Sequence, residues 1–385
     1  MRAPDPVLLE RVRTELAREP GPVTPGRVAA AVRAAGAVLG DVGLLDVVDA
    51  LRAEIVGAGP LEPLLADERV TDVLVNADRG VWVDRGFGLE RVRLDLGSAA
   101  AVRRLAVRLA AAAGRRLDDA SPYVDARLPG GVRVHAVLPP LAEGGTHLSL
   151  RVPHRHAMTL DELVSCGALP PGWAQCVADV VARRLAFVIT GGTGAGKTTV
   201  LAALLGRVPP SERIVVVEDC AELAVDHPHV VRLEARPPNV EGRGAVPLTD
   251  LVRQALRMRP DRLVVGEVRG AEVRELLTAL NTGHEGGCGT LHANSAAEVP
   301  ARLEALGALA GLSREAVHAQ AAGAVSVVLH LRRVGGQRRV VELGVVERPG
   351  EHVVVTPALV ADPTDPSSSG GPGPGEPRLR ALLAA

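Results

Sequence analysis

Residues 191–198 are Gly191-Gly192-Thr193-Gly194-Ala195-Gly196-Lys197-Thr198, and they match the phosphate-binding pattern G-x-x-x-x-G-K-[ST]. Residues 184–190 form a mostly apolar run that suits a buried strand, and residues 199–205 favour a helix. Strand, glycine loop and helix thus follow in the order of a P-loop. The glycines let backbone N–H groups converge on phosphate oxygens, and the helix N-terminus adds partial positive charge. The sequence therefore predicts that residues 191–198, together with Thr199, bind a nucleoside triphosphate, which we take to be ATP.

The lysine of this loop is the only one in the chain. Of the 44 lysine and arginine residues, Lys197 alone is lysine. A slim ammonium on a flexible stem can lie along the β- and γ-phosphates inside a tight loop, whereas the planar guanidinium of arginine cannot. This supports a phosphate-binding role for Lys197. The hydroxyl of Thr198 is expected to hold Mg²⁺.

Composition limits the class of protein. The chain has 385 residues, a net charge of −1 and 1% aromatic residues. This length is sufficient for two or three domains with sizeable cores. The absence of a basic excess and the scarcity of aromatic residues argue against direct nucleic-acid binding. No secretory leader or transmembrane run is recognised, so a cytoplasmic protein is expected, and any membrane role must come through a partner.

Five segments are expected along the chain. The fold class is α/β, because strands and helices alternate in the P-loop half. Before it we expect a helical segment and a smaller α+β domain, and after it a tail rich in proline, serine and glycine. The expected bounds are 1–57 for the helical segment, 58–152 for the α+β domain, 153–169 for a linker, 170–360 for the P-loop domain and 361–385 for a disordered tail.

Acidic residues end two of the expected parallel strands. Glu218 closes the run 213–218, and Glu267 closes the run 262–267, where glycine precedes it in place of the more usual aspartate. Ligands of doubly wound sheets bind at the carboxyl ends of the strands. We therefore expect Glu267 to orient or deprotonate the attacking water and Glu218 to act on Mg²⁺ or its water shell. The alternative for each is a solvated or salt-bridged acid at a strand end.

A glycine-rich segment over residues 281–295 carries His284 and His292. Metal binding is not expected, since no third ligand lies nearby in the sequence. A packed or surface histidine is the simplest interpretation. Because the segment follows the Glu267 strand and its helix, we interpret it instead as a loop that senses the γ-phosphate and changes shape on hydrolysis.

Two arginines flank a turn in the expected N-terminal domain. Residues 125–133 place Arg127 and Arg133 on either side of a proline-glycine-glycine sequence. A solvated turn is one interpretation, because most charged residues are exposed. The other is that both act as arginine fingers on a nucleotide held by the P-loop domain.

Taken in order, these motifs resemble those of the type II/type IV secretion ATPase superfamily, which includes pilus assembly and retraction motors. The resemblance is carried by the Lys197 loop, the Glu218-Asp219 strand end, residues 256–270 and the two-histidine segment, which correspond to its Walker A, Asp, Walker B and His boxes. Similar stretches in the N-terminal half point to the tight-adherence (Flp pilus, CpaF-like) branch, in its actinobacterial form associated with conjugal transfer. They are residues 59–65, 70–76 and 124–129.

The resemblance implies a homo-hexameric ring in which each subunit joins its N-terminal domain to a RecA-like C-terminal domain, with ATP and Mg²⁺ between them. It implies that Arg127 and Arg133, with Arg151 as a further candidate, reach the nucleotide. His284 and His292 match the His box. Nucleotide-driven domain movement would act on an inner-membrane platform protein from the cytoplasmic face. The division of labour between Glu218 and Glu222 stays open.

Two other functions compete with this interpretation. A RecA-like translocase would move DNA in conjugal transfer, although net charge and aromatic content argue against it. A small-molecule kinase would use the same P-loop, but the sequence offers no recognisable lid or acceptor site. The transported cargo does not follow from the sequence, because fold analogy does not determine it.

Overall fold

The computed structural model describes residues 6–18, 25–37, 47, 57–86, 88–128, 130–153, 157–238, 242–334, 336–362, 364–365 and 368–385. The chain divides into two compact units, Met1–Pro153 and His154–Ala385. Most of the stretch 38–56, which belongs to the expected N-terminal helical segment, lies outside the described residues.

The first unit is built on an antiparallel sheet. Its strands are β1 (Asp72–Asn76), β2 (Val81–Asp84), β3 (Leu89–Val92), β4 (Tyr123–Arg127), β5 (Arg133–Val137) and β6 (His147–Arg151). They lie in the order β3-β2-β1-β6-β5-β4. Buried residues alternate with more exposed ones along the strands, as in β5, so one face of the sheet packs on the core.

Four helices belong to this unit among the residues described: α1 (Pro6–Arg18), α2 (Pro25–Ala34), α3 (Glu62–Ala66) and α4 (Ala99–Ala112). Helix α4 is capped by Ser98, whose hydroxyl accepts a hydrogen bond from the Ala101 backbone N–H. Its apolar stripe, which includes Leu105 and Leu109, is buried with the sheet residues in one cluster. Helices α1 and α2 share a separate small core around Val12, Val28 and Val32.

The second unit is a three-layer α/β domain. Its strands are β7 (Phe187–Gly191), β8 (Ile214–Glu218), β9 (Val230–Glu234), β10 (Arg262–Val268), β11 (Cys288–Leu291), β12 (Val327–Val334), β13 (Gln337–Glu347), β14 (Val354–Val360) and β15 (Gly371–Pro372). The order is β15-β14-β13-β12-β7-β11-β10-β8-β9, and the pairs from β12 to β9 are parallel. Strands β12 and β13 pair antiparallel and form a hairpin.

Helices cover both faces of this sheet. Successive strand residues alternate between two cores, so that Ile189 and Val216 face one layer while Val188 and Val217 face the other. The helices of the first layer are α5 (Leu160–Ser165), α6 (Ala174–Ala182), α7 (Lys197–Leu205) and α12 (Glu376–Ala384). Those of the second are α8 (Leu248–Leu256), α9 (Val273–Asn281), α10 (Val299–Leu309) and α11 (Arg314–Ala324).

Two expected segment types need correction. The expected linker 153–169 contains helix α5, which begins with a capping box at Thr159 and buries Leu160 and Leu163 in the core of the second unit. The tail expected to be disordered over 361–385 ends in helix α12, where Leu379 is buried against the same core. The prediction of disorder was wrong at this end because glycine and proline dominate only up to residue 377. The leucines beyond residue 377 supply an apolar helix face.

Candidate functional site

The P-loop lies at the carboxyl edge of the nine-stranded sheet, between β7 and α7. Glycine is needed at Gly191, where a Cβ atom would stand 2.5 Å from the Leu331 carbonyl oxygen. It is also needed at Gly194 and Gly196, whose φ angles are +70° and +93°. Gly196 is the N-cap residue of α7. The backbone thus takes the conformation that directs N–H groups toward a bound phosphate.

Lys197 is buried within the loop. Its Nζ donates to the carbonyl oxygens of Gly191 and Gly192, each at 3.0 Å, and lies 3.3 Å from Nε2 of His292. Burial lowers the pKa of Lys197, and the carboxylate of Glu267 partly opposes this. The Lys197 ammonium therefore contacts mostly uncharged groups, which a phosphate can replace. It lies where the β- and γ-phosphates are expected.

Glu267 and His292 form the next contact of this cluster. Nε2 of His292 lies 2.6 Å from Oε1 of Glu267, and Arg269 donates to the other carboxylate oxygen. Burial alone would raise the pKa of Glu267, but the hydrogen bond and charge of Arg269 outweigh it, with smaller help from His292 and Lys197, and the pKa is lowered. Burial lowers the pKa of His292, so its imidazole is neutral near pH 7. Glu267 is thus an ionised carboxylate beside the P-loop lysine.

A β-bulge sets the position of Glu267. Along β10 and β11, Val265 pairs with Gly289 but Val268 pairs with Leu291, so β10 contains one extra residue at this point. Such a bulge redirects a side chain and is common beside active sites. The Thr290 hydroxyl donates to the Gly266 carbonyl at 2.7 Å and stabilises the irregular backbone.

The Glu218 side chain occupies the space beside Gly266, which is why glycine precedes Glu267. A Cβ atom at Gly266 would stand 2.5 Å from Cγ of Glu218, so the Glu218 side chain lies across this glycine on the neighbouring strand. Oε1 of Glu218 accepts the backbone N–H groups of Glu222 and Leu223 at 3.1 and 2.9 Å. Oε2 is buried and has no hydrogen-bond partner within the described part of the chain. Burial raises the pKa of Glu218.

The two histidines do not lie in one loop. Strand β11 separates them, so that His292 follows its carboxyl end while His284 precedes its amino end. The His284 carbonyl accepts the Gly287 backbone N–H, and the Gly287 carbonyl accepts that of Phe187 at the start of β7. His284 therefore lies at the opposite edge of the sheet from the P-loop of the same unit. The expectation of one flexible two-histidine loop is wrong, because residues 288–291 are buried sheet.

In the first unit, the arginines form a row across three strands. Arg127 pairs in register with Arg133, and Arg133 pairs with Arg151. Arg133 donates to both carboxylate oxygens of Asp125 at 3.0 and 2.6 Å, and Arg151 contacts Asp72 at 3.4 Å. Like charges directly opposite one another destabilise a sheet. Asp125 and Asp72 offset part of that repulsion, and an anion bound beside the row would offset more.

Arg269 was not among the residues predicted from the sequence. It donates to Glu267, while its own backbone N–H and that of Gly270 donate to Glu272 Oε1 at 2.6 and 2.8 Å. The sequence did contain a signal for this contact, because Glu267 and Arg269 carry opposite charges and lie two residues apart at the end of a strand. That signal is weak, since neighbouring opposite charges are common on protein surfaces.

The fold and this site define a P-loop ATPase with a RecA-like nucleotide-binding domain. The chain belongs to the family described as type II/IV secretion system protein, whose sequence profile matches residues 54–344. The superfamily expected from the sequence is thereby confirmed.

Individual relatives agree with this membership. The chain is 59% identical over 318 residues to a Mycobacterium tuberculosis protein whose name proposes a role in conjugal transfer, covering 81% of this chain and 90% of that protein. It is 32% identical to the conjugal transfer protein TrbB of Rhizobium radiobacter, covering 72% and 84%. The structure of the Legionella pneumophila ATPase DotB matches with a TM-score of 0.51 at 20% identity, over 84% of this chain and 86% of that one, which supports the fold.

Proposed function

We propose that this chain is a motor ATPase that hydrolyses ATP to power pilus assembly or secretion through a membrane-embedded partner. The observation that carries the proposal is the contact series from Lys197 to His292 to Glu267 at the mouth of the P-loop, with separations of 3.3 and 2.6 Å. It combines a cation for the transferring phosphate with a carboxylate for the attacking water, which are the two groups that phosphoryl transfer to water needs.

Each residue of this series has a defined part in the reaction. When ATP binds, the Lys197 ammonium exchanges the carbonyl oxygens of Gly191 and Gly192 for the β- and γ-phosphates. Glu267 then orients the attacking water and accepts its proton. Nε2 of neutral His292 faces both groups but can hydrogen-bond to only one of them at a time, accepting from Lys197 or donating to Glu267. His292 therefore reports the loss of the γ-phosphate, because this choice changes when the charge beside Lys197 changes.

Mg²⁺ fits the residues available, with Thr198 and Glu218 as the groups that hold it or its water shell. Oε2 of Glu218, which is buried and has no partner among the described residues, supports this, because a cation or its bound water relieves both a raised pKa and a missing partner. The described residues contain no group of three or more side chains able to hold a metal alone, so phosphate oxygens would complete the coordination. The ion would neutralise charge on the phosphates during transfer.

The arginine row of the first unit supports the finger role proposed for Arg127 and Arg133. Arg151 extends the same row. Held in register on a sheet, the guanidinium groups are preorganised for a phosphate chain. We propose that they complete a nucleotide site on the second unit, and that nucleotide turnover moves one unit against the other. We further propose that six such subunits form a ring.

The proposed partner is an inner-membrane platform protein, reached from the cytoplasmic face. Among the residues that the structure describes, no helix has the length and apolar composition needed to cross a membrane. Membership of the secretion family supports a membrane-bound machine as the load. Within that family we assign the chain to the tight-adherence branch on its N-terminal sequence stretches.

The proposal is tested by measuring Mg²⁺-ATP hydrolysis per subunit over a wide range of protein concentrations, with Lys197→Ala as the blank and particle mass recorded in parallel. We expect activity per subunit to rise steeply as rings form. Arg127→Ala should abolish turnover and leave nucleotide affinity nearly unchanged, whereas Arg104→Ala, which removes an exposed arginine from α4 of the same unit, should have no effect. Full activity in a monomer, or in Arg127→Ala, would refute the ring or the finger role respectively.

Transport of DNA is the second candidate, and the names of two relatives favour it. It predicts hydrolysis that is stimulated by DNA and binding that weakens steeply with salt. The net charge of −1 and the few aromatic residues of the chain favour the protein-machine function instead. Adding DNA to the hydrolysis assay distinguishes the two.

A further inference from the structure

The β12–β13 hairpin extends beside the P-loop. Strand β12 pairs with β7 up to Leu331, which lies opposite Gly191, the last residue of β7. Both strands of the hairpin continue past this point, since Arg333 pairs with Arg338. The part of the hairpin beyond Leu331 therefore projects past the carboxyl edge of the sheet, where the glycine loop lies.

Arg338 packs on the glycine that precedes the P-loop lysine. A Cβ atom at Gly196 would stand 3.4 Å from Cδ and 3.6 Å from Cβ of Arg338. The aliphatic stem of Arg338 thus covers the left-handed glycine at the start of α7. Cδ of Arg338 lies against the loop, and the guanidinium group is bonded to this Cδ. The guanidinium can therefore reach a phosphate that the loop holds.

The polar end of Arg338 differs from that of its neighbour. Its Nε is buried and has no hydrogen-bond partner among the residues that the structure describes. Nε of Arg339 is likewise buried without a partner among the described residues. The terminal nitrogens of Arg339, however, donate to the carbonyl oxygens of Asp362, Asp365 and Ser368. A guanidinium whose donors lack acceptors gains binding energy from a ligand that supplies them.

We propose that Arg338 is a further phosphate-binding residue of the nucleotide site, contributed by the same subunit as the P-loop. Its guanidinium donates to the phosphate chain of a bound nucleoside triphosphate or diphosphate, in addition to Lys197 and the loop N–H groups. Arginine suits this position because its planar fork binds two phosphate oxygens at once. The inference rests on the nucleotide binding proposed above and deepens it.

The test compares Mg²⁺-ADP and pyrophosphate binding by titration calorimetry on the full chain. Arg338→Gln keeps the Cβ and Cδ atoms that pack on Gly196 and removes the charge. The matched control is Arg332→Ala, which removes an exposed arginine from the opposite face of the same hairpin. Arg338→Gln should weaken both ligands about tenfold or more, and Arg332→Ala should leave both affinities unchanged.

The outcomes separate this inference from the proposed function. Absence of Mg²⁺-ADP binding in the unmodified protein would overturn nucleotide binding itself. If the protein binds normally and Arg338→Gln binds equally well, Arg338 has only a packing role and the inference fails. If Arg338→Gln weakens ADP but not pyrophosphate, the guanidinium contacts the nucleoside half and the phosphate assignment is wrong. A parallel circular-dichroism melt confirms that each variant is folded.

Discussion

The two ends of strand β10 both carry charge, and they satisfy it in opposite ways. At the amino end, the Arg262 side chain is 1% exposed and donates to Glu212 at 2.6 Å and to the Val181 and Gly286 carbonyl oxygens at 2.9 and 3.5 Å. At the carboxyl end, the Glu267 side chain is 23% exposed. Its partners there are Arg269 and His292.

The charged residues at the amino end of β10 stabilise the fold, whereas those at its carboxyl end belong to the proposed catalytic site. The partners of Arg262 are all part of the fold, and Arg184 gives Glu212 a second arginine at 2.8 Å, so the charges of this pair are satisfied without a ligand. Burial would raise the pKa of Glu212, but the two arginines outweigh it and lower the pKa. At the Glu267 end, the ammonium of Lys197 is held by carbonyl oxygens that a phosphate can replace.

The largest expected effect is at the carboxyl end. Glu267→Gln should reduce ATP hydrolysis roughly 10³-fold, because the amide cannot accept the proton of the attacking water. Nucleotide affinity and melting temperature should change little, as Gln keeps the side-chain shape. Steady-state phosphate release with calorimetric ADP titration measures both. The matched control is Glu285→Gln, an exposed acid at the amino edge, which should retain full activity. A Glu267→Gln protein with more than a tenth of normal turnover would contradict the assignment.

At the amino end of β10, a substitution should reduce stability rather than activity. Arg262→Met removes the guanidinium and leaves Glu212 half-paired in a buried place, so the free energy of unfolding should decrease by about 3 kcal/mol. Urea denaturation measures this decrease, while hydrolysis per folded molecule should be unchanged. Replacing Glu212 by Met as well should recover part of the loss, because no buried carboxylate is then left unpaired. A double variant as unstable as the single one would show that packing, rather than charge, dominates this end.

The difference between the ends was only partly predictable from the sequence. The P-loop and the acids at strand ends are local patterns, so the α/β class and the association of Lys197 with Glu267 follow from residue spacing. The bulge that directs Glu267 is a register shift between two strands distant in sequence, and residue spacing carries no signal for it. His284 and His292 were likewise interpreted as parts of one loop, although the buried strand Cys288–Leu291 lies between them.

A third prediction concerns the glycine beside Glu267. Gly266→Ala would bring a Cβ atom to 2.5 Å from Cγ of Glu218, so the Glu218 side chain must move. Overpacking of this kind typically costs about 1–3 kcal/mol, and moving the proposed Mg²⁺ group should also raise the Mg²⁺ concentration needed for half-maximal hydrolysis. Gly350→Ala is the control, since nothing lies within 4 Å of its Cβ position. Equal melting temperatures and equal Mg²⁺ dependence in the two variants would show that Glu218 does not occupy this space.

The smallest expected effect is a pH dependence confined to the carboxyl edge. His330 on β12 is 3% exposed, and its Nδ1 lies 2.9 Å from the Thr190 hydroxyl just before the P-loop. Burial lowers the pKa of His330 below its ordinary value of 6.5, with a smaller contribution from Arg332 in the same direction.

Below pH 6.5 the unfolded chain therefore takes up a proton that the folded protein resists. Stability is fully present above that pH and is lost as pH falls toward the lowered pKa, by at most about 1.4 kcal/mol per pH unit for this histidine. Unfolding free energies of the unmodified protein and His330→Gln, measured between pH 8 and 5, should run parallel above pH 7 and converge below 6.5. The Arg262–Glu212 pair does not produce this convergence, because the lowered pKa of the Glu212 carboxyl keeps that group charged over this range. Curves that stay parallel over the whole pH range would show that a group other than His330 causes the loss of stability in acid.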